Sequence, residues 1–130
     1  MFRAITGDIE VRVTPVYRPE ESRPDERRWF WAYTVEIHNG GPRSVQLLSR
    51  RWLITDALGT VREVSGAGVV GQQPMIGPDE WFRYTSGCPL PTSSGFMQGE
   101  YRMVDDAGVA FEVAIPTFAL DLPDVVRILN

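Results

Sequence analysis

Strict alternation of large apolar and smaller or polar residues between Trp29 and His38 limits the fold of this chain more than any other feature. The sequence WFWAYTVEIH has a large apolar residue at every odd position, whereas the even positions become increasingly polar. Successive side chains of a β-strand point to opposite faces, so this period predicts a strand with one buried face. The turn-forming residues Asn39–Pro42 predict where the strand ends.

Further segments show the same period or lie between turn residues, which predicts more short strands. In Val45–Thr55 the alternation slips at Leu47-Leu48, as a β-bulge would produce. Asp105–Gly108 has the composition of a tight turn between two strands, and Pro116 is expected to end the last one. The other predicted strands are Ile9–Val13, Thr60–Ser65, Glu80–Ser86, Met97–Met103 and Val109–Ile115.

Seven or eight short strands without a long amphipathic helix predict an all-β fold. The expected architecture is an immunoglobulin/fibronectin type III-like antiparallel β-sandwich. A length of 130 residues suits a single domain over residues 1–130. The proline-bearing, mixed-charge segment Arg18–Arg28 is expected to be a solvated, mobile loop, with a partner-binding arm as the alternative.

Composition disfavours nucleic-acid and membrane functions. The net charge is −4, which argues against broad binding to nucleic acid. All 13 basic residues are arginine, and a genomic coding bias explains this more simply than a phosphate site does. No apolar run approaches the roughly 20 residues that span a bilayer, and the first residues do not resemble a signal peptide. We therefore expect a cytoplasmic protein.

The residues offer no recognisable catalytic or metal-binding pattern. Cys88 is the single cysteine, so a disulfide within the chain and a paired-cysteine zinc site are excluded. We place it in a turn, as a small structural apolar residue. His38 has no second histidine, and Asp105-Asp106 is explained first as turn chemistry. The sequence predicts a non-enzymatic protein without a cofactor or a dedicated metal site.

The segment GAGVVGQQP has its glycines, Gly66, Gly68 and Gly71, in the GxGxxG spacing of a dinucleotide-binding turn. Such a turn must open a helix that receives the pyrophosphate at its N-terminus. Pro74 and Pro78 prevent a helix from continuing past Gly71, and the acidic residue expected about twenty positions after the first glycine is absent. A Rossmann-type site is therefore rejected.

Two interpretations of this glycine segment remain open. The unpaired amides of Gly66, Gly68 and Gly71 could form an anion-binding nest, completed by Arg62 or Arg83. Alternatively, the glycines only give backbone freedom to a connection between strands. The aromatic residues Trp29, Trp31, Tyr33 and Trp52 are expected in the sandwich core rather than on a base-stacking surface.

Several motifs together resemble the bacterial ApaG family over nearly the whole chain. The glycine segment with Pro78 is one of them, and the others are Tyr33–Asn39 (YTVEIHN), Arg50–Asp56 (RRWLITD), Phe82–Gly87 (FRYTSG), Gly95–Tyr101 (GFMQGEY), Phe111–Pro116 (FEVAIP) and Phe118–Leu120 (FAL). The resemblance implies a fibronectin type III-like sandwich and a link to cobalt and magnesium resistance. It also implies a neighbouring diadenosine tetraphosphate hydrolase gene and use as a protein-interaction domain.

These observations leave two functions. The first is an accessory domain that binds a protein partner of unknown identity through a sheet edge or a loop face. The second is binding of a phosphate-containing small molecule, such as pyrophosphate or diadenosine tetraphosphate, by the segment Gly66–Gly71 with Arg62 or Arg83. Self-association into a homodimer through an edge strand is a further expectation.

Overall fold

The computed structural model describes residues 1–123 and consists of β-strands with short connections. Nine strands follow one another along these residues. They are β1 (Phe2–Thr6), β2 (Ile9–Tyr17), β3 (Trp29–Asn39), β4 (Val45–Asp56), β5 (Val61–Ala67), β6 (Met75–Ile76), β7 (Trp81–Leu90), β8 (Gly95–Asp105) and β9 (Ala110–Leu120).

The strands form two antiparallel sheets that pack face to face. The first sheet has the order β1-β2-β3-β7, and the second has the order β5-β4-β8-β9 with the short β6 paired to β4. The predicted sandwich is therefore confirmed. The strand number exceeds the predicted seven or eight because β1 and the two-residue β6 were not foreseen. Among residues 1–123, no helix is long and apolar enough to cross a membrane.

Several predicted details of the strands are confirmed or corrected. The register of β4 against β8 shifts between Leu47 and Ser49, which is the predicted bulge. Pro116 does not end the last strand, because β9 continues to Leu120. The β8–β9 register shifts between Met97 and Gly99, and this irregularity accommodates a proline that cannot donate a ladder hydrogen bond.

The connection Arg18–Arg28 carries more structure than a solvated loop requires. It contains two short 3₁₀ turns, Pro19–Glu21 and Pro24–Glu26. The hydroxyl of buried Ser22 donates to the carbonyl of Arg18 and accepts from the amide of Phe30, which fixes the connection to the start of β3.

The core lies between the inner faces of the sheets and is rich in aromatic side chains. Trp31, Tyr33 and Trp52 are buried as predicted, whereas Trp29 is only half-buried at the rim. Phe118 from β9 contacts the aromatic rings of both sheets. The buried positions of β3 alternate from Trp31 to Asn39, in agreement with the predicted period.

The two long sides of the sandwich differ, and this difference positions the candidate site. On one side β1 and β2 pack against β9, and the amide of Ala114 donates to the hydroxyl of Thr6 at 3.0 Å. On the other side, β7 ends the first sheet and β5 ends the second, and neither is paired with the other. A cleft lies between these two edges.

Candidate binding cleft

The glycine segment forms the end of a strand and a tight hairpin. Gly66 belongs to β5, and the amide of Gly68 donates to the carbonyl of Leu48 at 2.8 Å. Val69 and Gln72 exchange both backbone hydrogen bonds, each at 2.8 Å, so a two-residue turn joins them. No helix follows Gly71, which agrees with the rejection of a Rossmann-type site.

The hairpin uses amide groups that a phosphate nest would need. Gly68, Val69 and Gln72 all donate their amides to protein carbonyls. The amides of Val70 and Gly71 at the tip make no backbone hydrogen bond within residues 1–123. A phosphate held by the glycine amides alone would therefore find fewer donors than the spacing suggests. The predicted anion site stays a prediction.

Val70 occupies a backbone conformation that a β-branched residue rarely adopts. Its φ is 43° and that of Gly71 is 79°, as a type I′ turn requires. Since Asn tolerates this region better than valine, we expect Val70→Asn to raise the free energy of unfolding by about 1 kcal/mol in urea denaturation. Val61→Asn is the control, because this similarly exposed valine lies in β5, where asparagine should destabilise. A loss of stability in Val70→Asn would contradict the proposed strain.

Arg50 from β4 is the principal charged side chain of the cleft, and it was not among the predicted site residues. Its Nη1 donates to the carbonyls of Ala67 at 3.1 Å and Gly68 at 2.8 Å. The guanidinium lies against Gly66, where an added Cβ would come within 3.0 Å of Nη1. The absence of a side chain at Gly66 thus provides the space that Arg50 occupies.

Two adjoining cavities share Arg50, Tyr33, Trp52 and Ser86 in their walls. The first, of about 260 Å³, is completed by the hairpin and the inward-facing Tyr84. The second, of about 280 Å³, extends along β5 and β7 past Arg62. None of the described residues that line these cavities is acidic.

The predicted site residues fall into two groups. Arg62 and Gly71 line the cleft, Gly66 lies beneath Arg50, and Gly68 packs at the base of the hairpin. Arg83 does not join them, because its β7 position faces away from the core. Its Nε lies 4.0 Å from a carboxylate oxygen of Glu36 on that outer face.

The phenols of Tyr33 and Tyr84 line the cleft, and a third phenol, Tyr101, is fully buried in the core. The hydroxyl groups of Tyr84 and Tyr101 are hydrogen-bonded across the gap between the sheets. Burial raises the pKa of both phenols and that of Tyr33, while the nearby Arg50 guanidinium opposes the rise. At neutral pH these groups are therefore neutral and offer hydroxyl donors and acceptors beside a fixed positive charge.

Cys88 lies in β7 rather than in the predicted turn, and it is buried. Burial raises the pKa of its thiol to about 11 from the usual value of 9.0. At pH 8 the thiolate fraction of Cys88 should be roughly 100-fold lower in the folded protein than in the unfolded chain, because the two pKa values differ by about two units. We expect Ellman's reagent to modify the native protein at least about 100-fold more slowly than the urea-unfolded chain. Equal rates in the two states would contradict this.

The histidine and the cysteine considered from the sequence lie on opposite faces of the first sheet, and only Cys88 lines the cleft. His38 faces the outer side of the first sheet, where its Nε2 lies 2.9 Å from Asp79, and its ring stacks on Trp81. Cys88 faces the inner side of the same sheet, so the two residues do not meet. Within residues 1–123, no group of three His, Cys, Asp or Glu side chains is placed to hold a metal ion.

Comparisons with known proteins agree with this architecture. The sequence model of the family described as the ApaG domain matches residues 19–105, which include every residue lining the cleft. The chain is 58% identical to the protein ApaG of Afipia carboxidovorans and 55% identical to that of Bradyrhizobium diazoefficiens, with 100% of each chain covered. The crystal structure of a Bordetella pertussis protein described as ApaA superimposes with a TM-score of 0.88. It is 51% identical, and the match covers 91% of this chain and 96% of that one.

Proposed function

Because this chain belongs to the ApaG domain family, we propose that it is a non-enzymatic accessory domain that binds a protein partner in the cytoplasm. The observation that carries the proposal is the open side of the sandwich, where the edges of β5 and β7 flank a polar cleft. Exposed sheet edges readily pair with another chain, so natural proteins normally cover or blunt them.

The backbone of β7 can accept an additional strand. The amide of Asn39 donates to the carbonyl of Glu80, so the backbone N–H and C=O groups of the even-numbered residues of β7 point towards β3. The backbone groups of the odd-numbered residues consequently point towards the open side. Arg62 donates to one of them, the carbonyl of Pro89, at 3.4 Å. The amides of Arg83, Thr85 and Gly87 point to the same open side.

Within the part of the chain that the structure describes, the neighbouring edge of β5 is also uncovered. Six of the seven residues of β5 are exposed, and its hydrogen bonds to a strand are made to β4 alone. Val61 and Val64 are both solvent-exposed although β-branched residues favour half-buried strand surfaces. A partner that covered this side would bury them.

The β7 edge is tested by removing one amide. Thr85→Pro removes an amide that faces the open side, while the ladder to β3 keeps its bonds. Thr85→Val is the matched control, because both variants lose the hydroxyl contact with Thr34. In affinity capture from the native lysate, we expect the wild type and Thr85→Val to retain a stoichiometric partner that Thr85→Pro loses. Recovery of no reproducible partner would refute the proposal.

Binding of a phosphate-containing small molecule is the second candidate, because Arg50 and Arg62 line cavities without acidic residues. Titration calorimetry with pyrophosphate, ATP and diadenosine tetraphosphate, with and without magnesium, tests it. Arg62→Gln should weaken such binding at least about tenfold, while Arg83→Gln on the outer face should not. The absence of heat with all three compounds would eliminate this candidate.

Two narrower proposals follow from the accessory role. We place the link to cobalt and magnesium resistance in the partner rather than in a metal site of this chain. Self-association is the alternative use of the open edge. Centring an antiparallel β5 pair on Val64 would place Arg62 opposite Gly66 of the second copy, without like charges facing each other. Light scattering that shows only monomer at high concentration would exclude the homodimer.

A further inference from the structure

We propose that the partner contributes an extended, acidic segment that pairs with β7 and inserts one Asp or Glu side chain beside Arg50. This inference rests on the proposed accessory function and specifies the chemistry of its partner. Arg50 would be the anchor of the interface, and the open edge of β7 would supply its backbone hydrogen bonds.

The hydrogen bonds of Arg50 do not use the edge of its guanidinium that can bind a carboxylate. A guanidinium carries five N–H donors. The two bonds to the carbonyls of Ala67 and Gly68 both come from Nη1. Within residues 1–123, Nε and Nη2 make no hydrogen bond, and together they form one of the planar forks that bind a carboxylate in a bidentate manner. The side chain is thus fixed in place with its recognition edge unused.

The charge of the cleft is opposite to that of the whole chain. The protein has a net charge of −4, yet the cavities contain Arg50 and Arg62 with no acidic residue in their described walls. The cavity at the end of the sandwich, by contrast, has three acidic residues, Asp8, Asp105 and Glu112, and one arginine, Arg43, in its lining. An acidic segment would therefore be attracted to the cleft more strongly than to the end cavity.

Each cavity is large enough for a side chain. The two adjoining cavities measure about 260 and 280 Å³, and either one alone is below the roughly 300–1,000 Å³ that is typical of pockets for drug-sized ligands. A carboxylate with its short aliphatic stem would fit either one. The phenol and hydroxyl groups of Tyr33 and Ser86 could bond the carboxylate oxygen that faces away from Arg50.

The geometry of a β-sheet would bring the acid to this position. Tyr84 and Ser86 project from β7 towards the interior, and both line the first cavity. Residues directly opposite on an added strand lie about 4.5–5.5 Å away between Cβ atoms and point to the same face. One inward residue of a partner strand beside Ser86 would therefore enter the cavity that contains Arg50.

A library of random octapeptides displayed on phage and selected on the full chain tests the proposal. We expect the selected sequences to share Asp or Glu at one fixed position, with β-branched residues two positions away. A synthetic peptide from this set should bind at least about tenfold more tightly than its Glu→Gln or Asp→Asn counterpart. Arg50→Gln should abolish that difference. Arg83→Gln on the outer face should preserve it.

A second variant covers the case in which Arg50→Gln disturbs the hairpin. Ser86→Val keeps a good strand former in β7 but places apolar bulk in the cavity, so it should also remove the preference for the acid. Thr85→Pro should weaken the binding of the acidic peptide and of its Glu→Gln or Asp→Asn counterpart to the same extent. Selection of no shared sequence, equal affinity for the two peptides, or a requirement for pyrophosphate instead of peptide would each overturn the inference.

Failure of the inference can be distinguished from failure of the proposed function. A partner captured by the wild type and lost in Thr85→Pro, whose binding does not depend on Arg50 or on any acidic residue, would support the accessory function and refute the acidic anchor. Conversely, tight binding of acidic peptides without any stoichiometric partner in the lysate would support the anchor and refute the accessory function.

Discussion

Replacement of Phe118 by alanine is expected to lower the free energy of unfolding by about 3–5 kcal/mol. The side chain is 0% exposed and lies where the two sheets meet. Its ring centroid is 5.7 Å from that of Tyr33 and 5.9 Å from that of Trp52, with a third contact at 6.1 Å to Phe2. Truncation would leave a cavity enclosed by strands that cannot collapse without breaking their ladders.

Phe96 provides the matched control for this prediction. It is also a phenylalanine in the second sheet, but its side chain faces outwards and is 38% exposed. Phe96→Ala should therefore cost less than about 1.5 kcal/mol, since only part of its apolar area leaves water on folding. Urea denaturation of both variants measures the difference. Equal losses would show that Phe118 is not central to the core.

Replacement of Gly68 by alanine is expected to lower the free energy of unfolding by about 2–4 kcal/mol. The backbone at Gly68 has a φ of 62°, which disfavours any residue with a Cβ. An added Cβ would also overlap the backbone carbonyl oxygen of Gln72, which accepts the hairpin bond from Val69. The hairpin would have to open to make room for the Cβ. Backbone strain and lost hydrogen bonds would therefore both lower the free energy of unfolding.

Gly71 separates these two effects. Its φ is 79°, similarly unfavourable, but nothing lies within 4 Å of an added Cβ. Gly71→Ala should therefore cost only about 1 kcal/mol from backbone conformation. Urea denaturation of both variants gives the comparison. A Gly68 variant no less stable than the Gly71 variant would mean that the close approach to Gln72 does not constrain the hairpin.

Local patterns were sufficient to predict most of the strands. The alternation in β3 predicted its buried face, and the slip at Leu47 predicted the bulge, because both effects depend on side chains within one strand. The prolines after Gly71 correctly excluded a helix. These features depend on the sequence at the position itself and need little knowledge of its neighbours.

The errors arose where a neighbouring strand overrides local chemistry. The turn predicted at Cys88 is wrong, because Cys88 and Pro89 both lie in the edge strand β7, where the missing amide of Pro89 is directed to the open side. Pro116 lies at an irregularity of the β8–β9 ladder and so does not end the strand. Neither circumstance can be recognised without knowing which strands pair.

The cleft was predicted only in part because strands distant in the sequence form it. Arg62 was named from its position before the glycines and lines the cleft, whereas Arg83 was named from its position on the following strand and faces the outer side of β7. Arg50 carried a usable signal. After the bulge it has the same parity as Trp52, which was expected in the core, so the alternation of β4 directs an arginine side chain inwards. An inward-facing arginine on a strand is unusual for a core position and is therefore a signal of a site residue.

Nuclear magnetic resonance of the full chain tests the open side of the sandwich most directly as the binding surface. Amide shifts would be followed during titration with the selected acidic octapeptide. The largest changes are expected along residues 83–87, along residues 62–66 and at Arg50. Largest changes around Asp8 and Glu112 at the end cavity, or along β1 and β9, would contradict the assignment of this cleft.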